Sequence, residues 1–185
     1  GSVDDVMRAV DALRAGRFIL VYDGDGREEE TDLTIASQHV TPTAIRTLRK
    51  EAGGLICVTL SGDVHRKIGL PLMADVLRDA GRTYPILEAV SAENLKYDRH
   101  STFSLTVNHK DTFTGITDKD RALTIARLAA IAGEAVKREN GWAAHVFADE
   151  FRAPGHVPVL NAAEPLLAAR KGHTELTTAL MIMAG

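Results

Sequence analysis

The stretch FILVYDGDGREEETDLTIAS, residues 18–37, places a strongly charged segment between two short apolar runs. The runs FILVY (18–22) and LTIAS (33–37) have the length and the β-branched and aromatic content that predict two strands. The acidic segment between them, residues 22–32, contains six acidic side chains and one arginine. Charge at this density beside two core strands needs either solvent or a partner, so the acidic segment is the first candidate for a functional site.

Strand geometry gathers several of these carboxylates. If the second strand starts within the acidic segment, Glu28, Glu30 and Asp32 point to one face, with neighbours about 7 Å apart. At an effective dielectric constant of about 20, each neighbouring pair repels by about 2 kcal/mol. Water around a solvated face could relieve this repulsion, and so could a divalent cation such as Mg²⁺ together with Arg27. The segment alone leaves both explanations open.

Two familiar ligand-binding loops do not fit the acidic segment. An EF-hand calcium loop requires an oxygen ligand where Arg27 stands and a turn glycine where Glu28 stands. A dinucleotide-binding loop requires a third glycine where Glu29 stands, and it binds phosphate through amides that are free of competing negative charge. The sequence therefore disfavours both kinds of site.

The rest of the chain alternates between helical and strand patterns. Residues 3–13 carry apolar side chains at helical spacing, and Thr41 before Pro42 is typical of a helix start. Residues 78–99 are polar and carry no pattern that assigns them to either class. Further helices are predicted at 63–69, at 118–140 and from Thr174, and further strands at 55–60, 101–108, 145–151 and 156–162. This mixture predicts an α+β domain in which a mixed sheet packs against helices.

Composition restricts the possible classes of function. The 185 residues are 45% hydrophobic and 5% aromatic and carry a formal net charge of −3. These values predict one domain, residues 1–185, with no general attraction to nucleic acid or to an anionic membrane. Cys57 is the single cysteine and no stretch is typical of a signal peptide or a membrane span, which favours a cytoplasmic location. Gly1 and Ser2 have the pattern of a scar left by tag cleavage.

Four other polar segments are candidates for a site, and each has an ordinary structural explanation. Arg152 and His156 of RAPGH could bind phosphate and metal, or the segment could be a surface turn. The segment GHTE, which ends at Glu175, could merely start the last helix. Cys57 is either a reactive thiol or a small buried hydrophobe. TGIT (114–117) offers an anion site at a helix start, although ordinary capping explains much of it.

The order of these segments along the chain is specific. R-E-x-E-x-D in the acidic segment is followed by GLIC, TGIT-x-x-DR, PGHV and GHTE. This order resembles that of 3,4-dihydroxy-2-butanone 4-phosphate synthases, enzymes of riboflavin biosynthesis, from about Phe18 to the C-terminus. The resemblance implies a lyase that uses Mg²⁺, with Mn²⁺ as the alternative ion, and forms a homodimer with active sites at the subunit interface. In many bacteria that enzyme is fused to a GTP cyclohydrolase II domain, for which we expect no counterpart here.

The resemblance also implies roles for individual residues. It implies that Glu28 and His156 bind the metal ion, and that both take part in catalysis. It implies further catalytic roles for Asp32, Cys57 and Glu175. Thr114 and Thr117 are added to the substrate-binding positions on a different ground, because the amides and hydroxyls at a helix start can bind a phosphate group. The substrate-binding positions are then Arg27, Glu28, Asp32, Thr114, Thr117, Arg152, Ala153, Pro154, Gly155, His156, Val157 and Glu175.

The implied reaction converts D-ribulose 5-phosphate to L-3,4-dihydroxy-2-butanone 4-phosphate and formate. A ketose phosphate loses its C3 proton at neutral pH only if the resulting enediolate is stabilised, which a divalent ion can do. Loss of the C1 hydroxyl as water, a skeletal rearrangement and release of C4 as formate would follow. A Mg²⁺-dependent phosphosugar isomerase or aldolase is an alternative. A non-catalytic nucleotide- or RNA-binding module is another, and it would require a basic stripe with exposed aromatic residues.

Overall fold

A computed structural model of the chain describes residues 3–23, 30–91, 102–139, 141–162 and 179–184. Helices and strands are interspersed along these ranges, as the sequence predicts. In chain order they are α1 Val3–Arg14, β1 Ile19–Asp23, β2 Glu30–Ala36, α2 Pro42–Thr47, β3 Ile56–Ser61, α3 Gly62–Ile68, α4 Met73–Ala80, α5 Pro85–Ala89, β4 Phe103–His109, α6 Asp118–Ala135, α7 Trp142–Glu150, β5 Phe151–Ala162 and β6 Ala179–Ala184.

The strands form one mixed sheet in the order β1-β2-β6-β3-β5-β4. β3 and β5 are parallel, and the other neighbouring pairs are antiparallel. Mixed pairing with helices packed on the sheet confirms the predicted α+β class. The sheet also joins segments that are far apart in sequence, because β6 lies between β2 and β3.

One face of the sheet carries the hydrophobic core. Along β3, Ile56, Val58 and Leu60 point into this core with Ile125 and Leu128 of α6. Side chains alternate between faces along a strand, so the residues between them on β3 point to the opposite face. This second face is partly covered by α1, whose Val10 and Leu13 pack against Ala36 of β2. The same face carries Asp32 and Cys57.

Local signals for helix starts are confirmed. The hydroxyl of Thr41 accepts a hydrogen bond from the amide of Ala44 at 3.1 Å, so it caps α2 as its position before Pro42 predicts. Thr117 caps α6 in the same way through the amide of Asp120, also at 3.1 Å. Such caps involve neighbours within one turn, which explains why the sequence predicts them well.

The sequence predicts a helix from Thr174 to the C-terminus, and this prediction is wrong for the residues that the structure describes. Residues Ala179–Ala184 form the strand β6. This strand pairs with β2 on one side and with β3 on the other. A short apolar run such as ALMIMA is compatible with a buried strand or a buried helix. Its two partners are distant in sequence, so the tertiary structure decides between these states.

The predicted strand at 145–151 is also wrong, because residues up to Glu150 belong to helix α7. Ala143 is buried, and Val146 and Phe147 pack against the core at the three- and four-residue spacing of a helix. The segment 78–99, which carried no clear pattern, contains the end of α4 and all of α5. Neither of these helices has a buried residue, which explains the weak signal.

Candidate active site

The strand registers bring three predicted site residues to one end of the sheet. Asp32 is opposite Ala184 of β6, and Cys57 is opposite Ile182. The parallel pairing of β3 and β5 begins at Val58 opposite Val159, and His156 precedes it by three residues, at the same end of the sheet as Asp32. The strands β2 and β5, which carry Asp32 and His156, are three strands apart, or about 14 Å, and β3 with Cys57 lies between them.

Two of these residues, Asp32 and Cys57, also belong to one face of the sheet. Residues opposite each other share a face, and Ala184 and Ile182 are two positions apart, so Asp32 and Cys57 lie on the same side. Val157 points into the core, whereas His156 is exposed and its Nδ1 lies 3.3 Å from the side chain of Asn108 on β4. A separation of about 14 Å excludes direct contact between Asp32 and His156. The arrangement instead suits a small molecule that lies across the strand ends.

Cys57 is buried with 6% of its surface exposed. Burial, and to a lesser extent the charge of Asp32, raises the pKa of its thiol to about 12. The thiol is therefore protonated at neutral pH, which opposes a role as a thiolate nucleophile. Its catalytic role stays a prediction.

Two buried threonines on the same face were not found by sequence reasoning. Thr34 follows Asp32 by two residues on β2, and Thr59 follows Cys57 by two residues on β3. Both hydroxyls are buried, and neither has a hydrogen-bond partner among the residues that the structure describes. The period-two spacing from Asp32 and Cys57 is the sequence signal that could have identified them.

His156 lies on a bulge of β5. Val157 is opposite Val107 of β4, whereas the next residue of β4, Asn108, is opposite Arg152. Residues 153–156 are therefore inserted into the strand, so the predicted turn at RAPGH is a bulge within β5.

Two side chains of β4 hold the backbone of this bulge. The hydroxyl of Thr106 accepts a hydrogen bond from the amide of Gly155 at 3.1 Å. The side-chain oxygen Oδ1 of Asn108 accepts one from the amide of His156 at 2.7 Å. Both bonds satisfy amides that the irregular pairing leaves without a ladder partner. The position of His156 thus depends on β4 directly.

The imidazole of His156 is suited to metal binding. It is exposed, and its Nδ1 lies 3.3 Å from Oδ1 of Asn108. With Nδ1 engaged in this way, Nε2 carries the lone pair that a metal ion would use. Of the two predicted metal ligands, the described one, His156, is therefore accessible and has a free nitrogen, and its metal role stays a prediction.

Arg152 is placed at the end of helix α7. Its Nη1 lies 3.2 Å, 3.3 Å and 2.7 Å from the carbonyl oxygens of Ala148, Asp149 and Phe151. The guanidinium thus satisfies carbonyl groups that a helix end leaves without partners. Its predicted role in phosphate binding stays a prediction, and sequence reasoning did not anticipate this capping role.

The predicted anion site at 114–117 has its own internal acceptor. Oδ2 of Asp120 accepts hydrogen bonds from the amides of Phe113, Thr114 and Gly115 at 3.1 Å, 3.1 Å and 2.9 Å. The hydroxyl of Thr117 caps the helix, as described above. The amide of Thr114 therefore donates to a carboxylate of the protein itself. The predicted contacts with phosphate are then the hydroxyls of Thr114 and Thr117, and this role stays a prediction.

Asn108 also connects this loop with the bulge. Gly115 has a φ of +91°, and a Cβ atom there would overlap the side chain of Asn108. Only glycine accepts both this backbone conformation and this close packing. Asn108 therefore lies between the TGIT segment and His156, a role that sequence reasoning missed.

A partly buried cluster of Arg127, Glu150 and His109 lies at the C-terminal end of β4. Arg127 donates to both carboxylate oxygens of Glu150 at 2.8 Å and 2.9 Å. The amide of Asp111 donates to Nδ1 of His109, so Nε2 carries the proton and donates to Glu150 at 3.0 Å. The hydrogen bond from Arg127, followed by that from His109, lowers the pKa of Glu150 to about 2. This cluster ties the end of β4 to α6 and α7.

Replacing Glu150 with glutamine is expected to destabilise the fold at neutral pH by about 2 kcal/mol, which lowers Tm by about 4–8 °C. The folded-state pKa of Glu150 lies below its ordinary value of 4.5, so the carboxylate contributes fully to the free energy of unfolding above pH 4.5. This contribution is lost as the pH falls towards about 2. Thermal unfolding from pH 7 to 2 should therefore show a flatter profile for the variant. Parallel profiles would contradict this role.

Three predicted site residues, Arg27, Glu28 and Glu175, lie outside the described residues. Within the part of the chain that the structure describes, no group of three or more histidine, cysteine, aspartate or glutamate residues could hold a metal ion. None of the described helices is long and apolar enough to cross a membrane. The described half of the predicted metal pair is His156.

Comparison with known proteins identifies a family match over most of the chain. The family model described as 3,4-dihydroxy-2-butanone 4-phosphate synthase matches residues 7–185. The synthase of Methanothermobacter thermautotrophicus is 47% identical over 97% of this chain and 76% of its own length. That of Methanosarcina mazei is 50% identical over 100% of this chain and 74% of its own length.

Solved structures that are similar to this chain belong to the same family of synthases. A crystal structure of 3,4-dihydroxy-2-butanone 4-phosphate synthase in complex with two magnesium ions is similar, with a TM-score of 0.67 and 26% identity. The similarity covers 100% of this chain and 75% of that one. A two-domain synthase from A. baumannii also has a TM-score of 0.67, at 25% identity, and this chain spans 47% of its length.

Proposed function

Because the chain belongs to the 3,4-dihydroxy-2-butanone 4-phosphate synthase family of riboflavin biosynthesis, we propose that it converts D-ribulose 5-phosphate to L-3,4-dihydroxy-2-butanone 4-phosphate and formate. The observation that carries this proposal is that Asp32 and Cys57 share a face of the sheet, at the end of the strands where His156 lies on the β5 bulge. These three residues come from distant parts of the sequence. Their arrangement supports a shared site for a small phosphorylated sugar.

The proposed cofactor is Mg²⁺, with Mn²⁺ as the alternative ion, held by Glu28 and His156. A structurally similar synthase is in complex with two magnesium ions, and the exposed imidazole of His156 fits such a role. When bound, the ion supplies Lewis-acid stabilisation of the negative charge that develops on the substrate oxygens. Glu28 contributes a carboxylate oxygen, the ligand type that Mg²⁺ prefers.

The protein's own groups then hold and move protons. Asp32, Cys57 and Glu175 are the proposed proton carriers, and each well-placed group of this kind is worth about two to four powers of ten in rate. Cys57 enters with its thiol protonated, because burial raises its pKa to about 12. It therefore cannot act as a base in the first proton transfer.

The proposed substrate contacts surround this set of proton carriers. The family pattern adds proposed substrate contacts from Arg27, Arg152 and the backbone of residues 153–157. The hydroxyls of Thr114 and Thr117 are proposed to bind the phosphate group. Arg152 would have to direct a nitrogen other than Nη1 to the phosphate if its contacts at the end of α7 are kept.

We further propose that residues 1–185 act as a cytoplasmic catalytic domain that pairs with a second copy, with active sites at the subunit interface. Two apolar side chains beside the proposed phosphate contacts support such pairing. Phe113 is 97% exposed and Ile116 is 48% exposed. Apolar side chains at this exposure are favoured where another protein surface covers them.

Formate release from D-ribulose 5-phosphate tests the proposed function. The purified protein with Mg²⁺ should produce formate and the four-carbon phosphate in equal amounts. A chelator should abolish this production, and added Mg²⁺ should restore it, because the charge that develops on the substrate needs the ion. A pentose phosphate isomer in place of formate would instead indicate an isomerase, and turnover that survives the chelator would remove the metal role.

A further inference from the structure

We propose that Asn108 is a positioning residue that holds His156 in the tautomer protonated at Nδ1, so that Nε2 is available to the metal ion. This inference deepens the proposed function, since it presupposes that His156 is a metal ligand. It rests on three atoms in the structure: the amide nitrogen of His156, its Nδ1, and the side-chain oxygen Oδ1 of Asn108.

The hydrogen-bond geometry determines which nitrogen carries the proton. The backbone amide of His156 can only donate, so the atom of Asn108 that lies 2.7 Å away must be its oxygen. Nδ1 of His156 lies 3.3 Å from this same oxygen. An oxygen only accepts, so Nδ1 must be protonated for the contact to be favourable. The neutral ring then presents its lone pair at Nε2.

The side chain of Asn108 is itself fixed on two sides. Its neighbour Val107 is fully buried in the core, which anchors β4 at this point. Gly115 packs directly against the amide group and leaves no room for a Cβ atom. The amide therefore has little freedom to turn away from the bulge. A rigid acceptor of this kind restricts both the tautomer and the orientation of the imidazole.

Loss of this acceptor should weaken metal binding. Partners of metal-binding histidines typically contribute about 10- to 100-fold to affinity. We expect the Mn²⁺ affinity to fall by this factor in Asn108→Leu, which keeps a similar volume without an acceptor. Asn108→Asp keeps an oxygen at the same position and adds negative charge, so it should bind Mn²⁺ at least as tightly as the wild type.

Two measurements on the full chain, made without substrate, test the proposal. Long-range ¹H–¹⁵N NMR at about pH 8, where imidazoles are mostly neutral, reports the tautomer of His156 in the metal-free protein. We expect the Nδ1-protonated form in the wild type and in Asn108→Asp, and loss of that preference in Asn108→Leu. Titration with Mn²⁺, followed by electron paramagnetic resonance, measures the affinity of each variant.

Thr112→Val is the matched control. It removes the hydrogen bond of 2.7 Å from the Thr112 hydroxyl to the carbonyl of His109, close to Asn108 in sequence but without contact with His156. Its tautomer and Mn²⁺ affinity should stay within about twofold of the wild type. An equal loss of affinity in this control would show a general structural effect and overturn the proposal.

The remaining outcomes separate this inference from the proposed function. A wild-type His156 protonated at Nε2, or an Asn108→Leu variant with unchanged Mn²⁺ affinity, would overturn the role of Asn108 alone. A His156→Ala variant that binds Mn²⁺ as tightly as the wild type would overturn the metal role of His156, and with it the premise. Failure of Asn108→Asp to restore binding would show that acceptor chemistry is not what matters at this position.

Discussion

Formate release should fall by about a thousandfold or more when His156 is replaced by alanine, while the fold is retained. The imidazole is exposed on the β5 bulge, so its removal leaves no cavity in the core. Its loss takes away one of two proposed protein ligands of the metal ion, whose contribution to the transition state is several kcal/mol. The measurement is kcat for formate release at saturating Mg²⁺, with thermal unfolding of the same samples.

His145→Ala is the control for this prediction. His145 is also an exposed histidine, and it lies on α7, outside the proposed site. We expect its kcat and Tm to match those of the wild type.

Glu28→Gln should reproduce the loss of formate release caused by His156→Ala. The double variant should be little worse than either single variant, because the two proposed ligands act as a unit. A His156→Ala variant with more than about a tenth of wild-type turnover would contradict the metal assignment.

The sequence determined the fold best where structure depends on near neighbours. Caps such as Thr41 and Thr117 act within one helical turn, so their residue types predicted two helix starts correctly. The apolar run of β6 carries no such local signal. Its state is decided by β2 and β3, which lie more than a hundred residues earlier and supply its hydrogen-bond partners. For this reason the sequence alone predicts a helix there, and that prediction is wrong.

The candidate site shows the same division. The register places Cys57 on the same face of the sheet as Asp32, whereas the shared face predicted for Glu28 stays a prediction because Glu28 lies outside the described residues. Asn108 could not be found from alternation along a strand. It meets His156 only because β5 carries a bulge opposite β4, and the two residues are 48 positions apart. The sequence of a bulge resembles that of an ordinary turn, as the Pro-Gly pair illustrates.

Replacing Gly155 with alanine is expected to impair both stability and activity. A Cβ atom at this position would overlap the carbonyl group of Val107 and the amide nitrogen of Asn108. These are backbone atoms, which cannot move aside as the end of a side chain can, so β4 and β5 would have to separate. We expect a loss of about 3 kcal/mol in the free energy of unfolding, which lowers Tm by about 6–12 °C.

Activity should fall further than stability alone explains. Separation of the strands would stretch the hydrogen bonds from the bulge to Thr106 and Asn108, and it would displace His156. A displacement of about 1 Å at a catalytic group can cost about a hundredfold in rate, so kcat should fall by that factor at temperatures where the variant remains folded.

Gly133→Ala is the matched control: Gly133 lies within α6 with nothing within 4 Å of the added Cβ. It should gain about 0.5–1 kcal/mol and keep full activity, because alanine favours helix. If Gly155→Ala behaves like this control, the close approach of β4 to the bulge is not what positions His156.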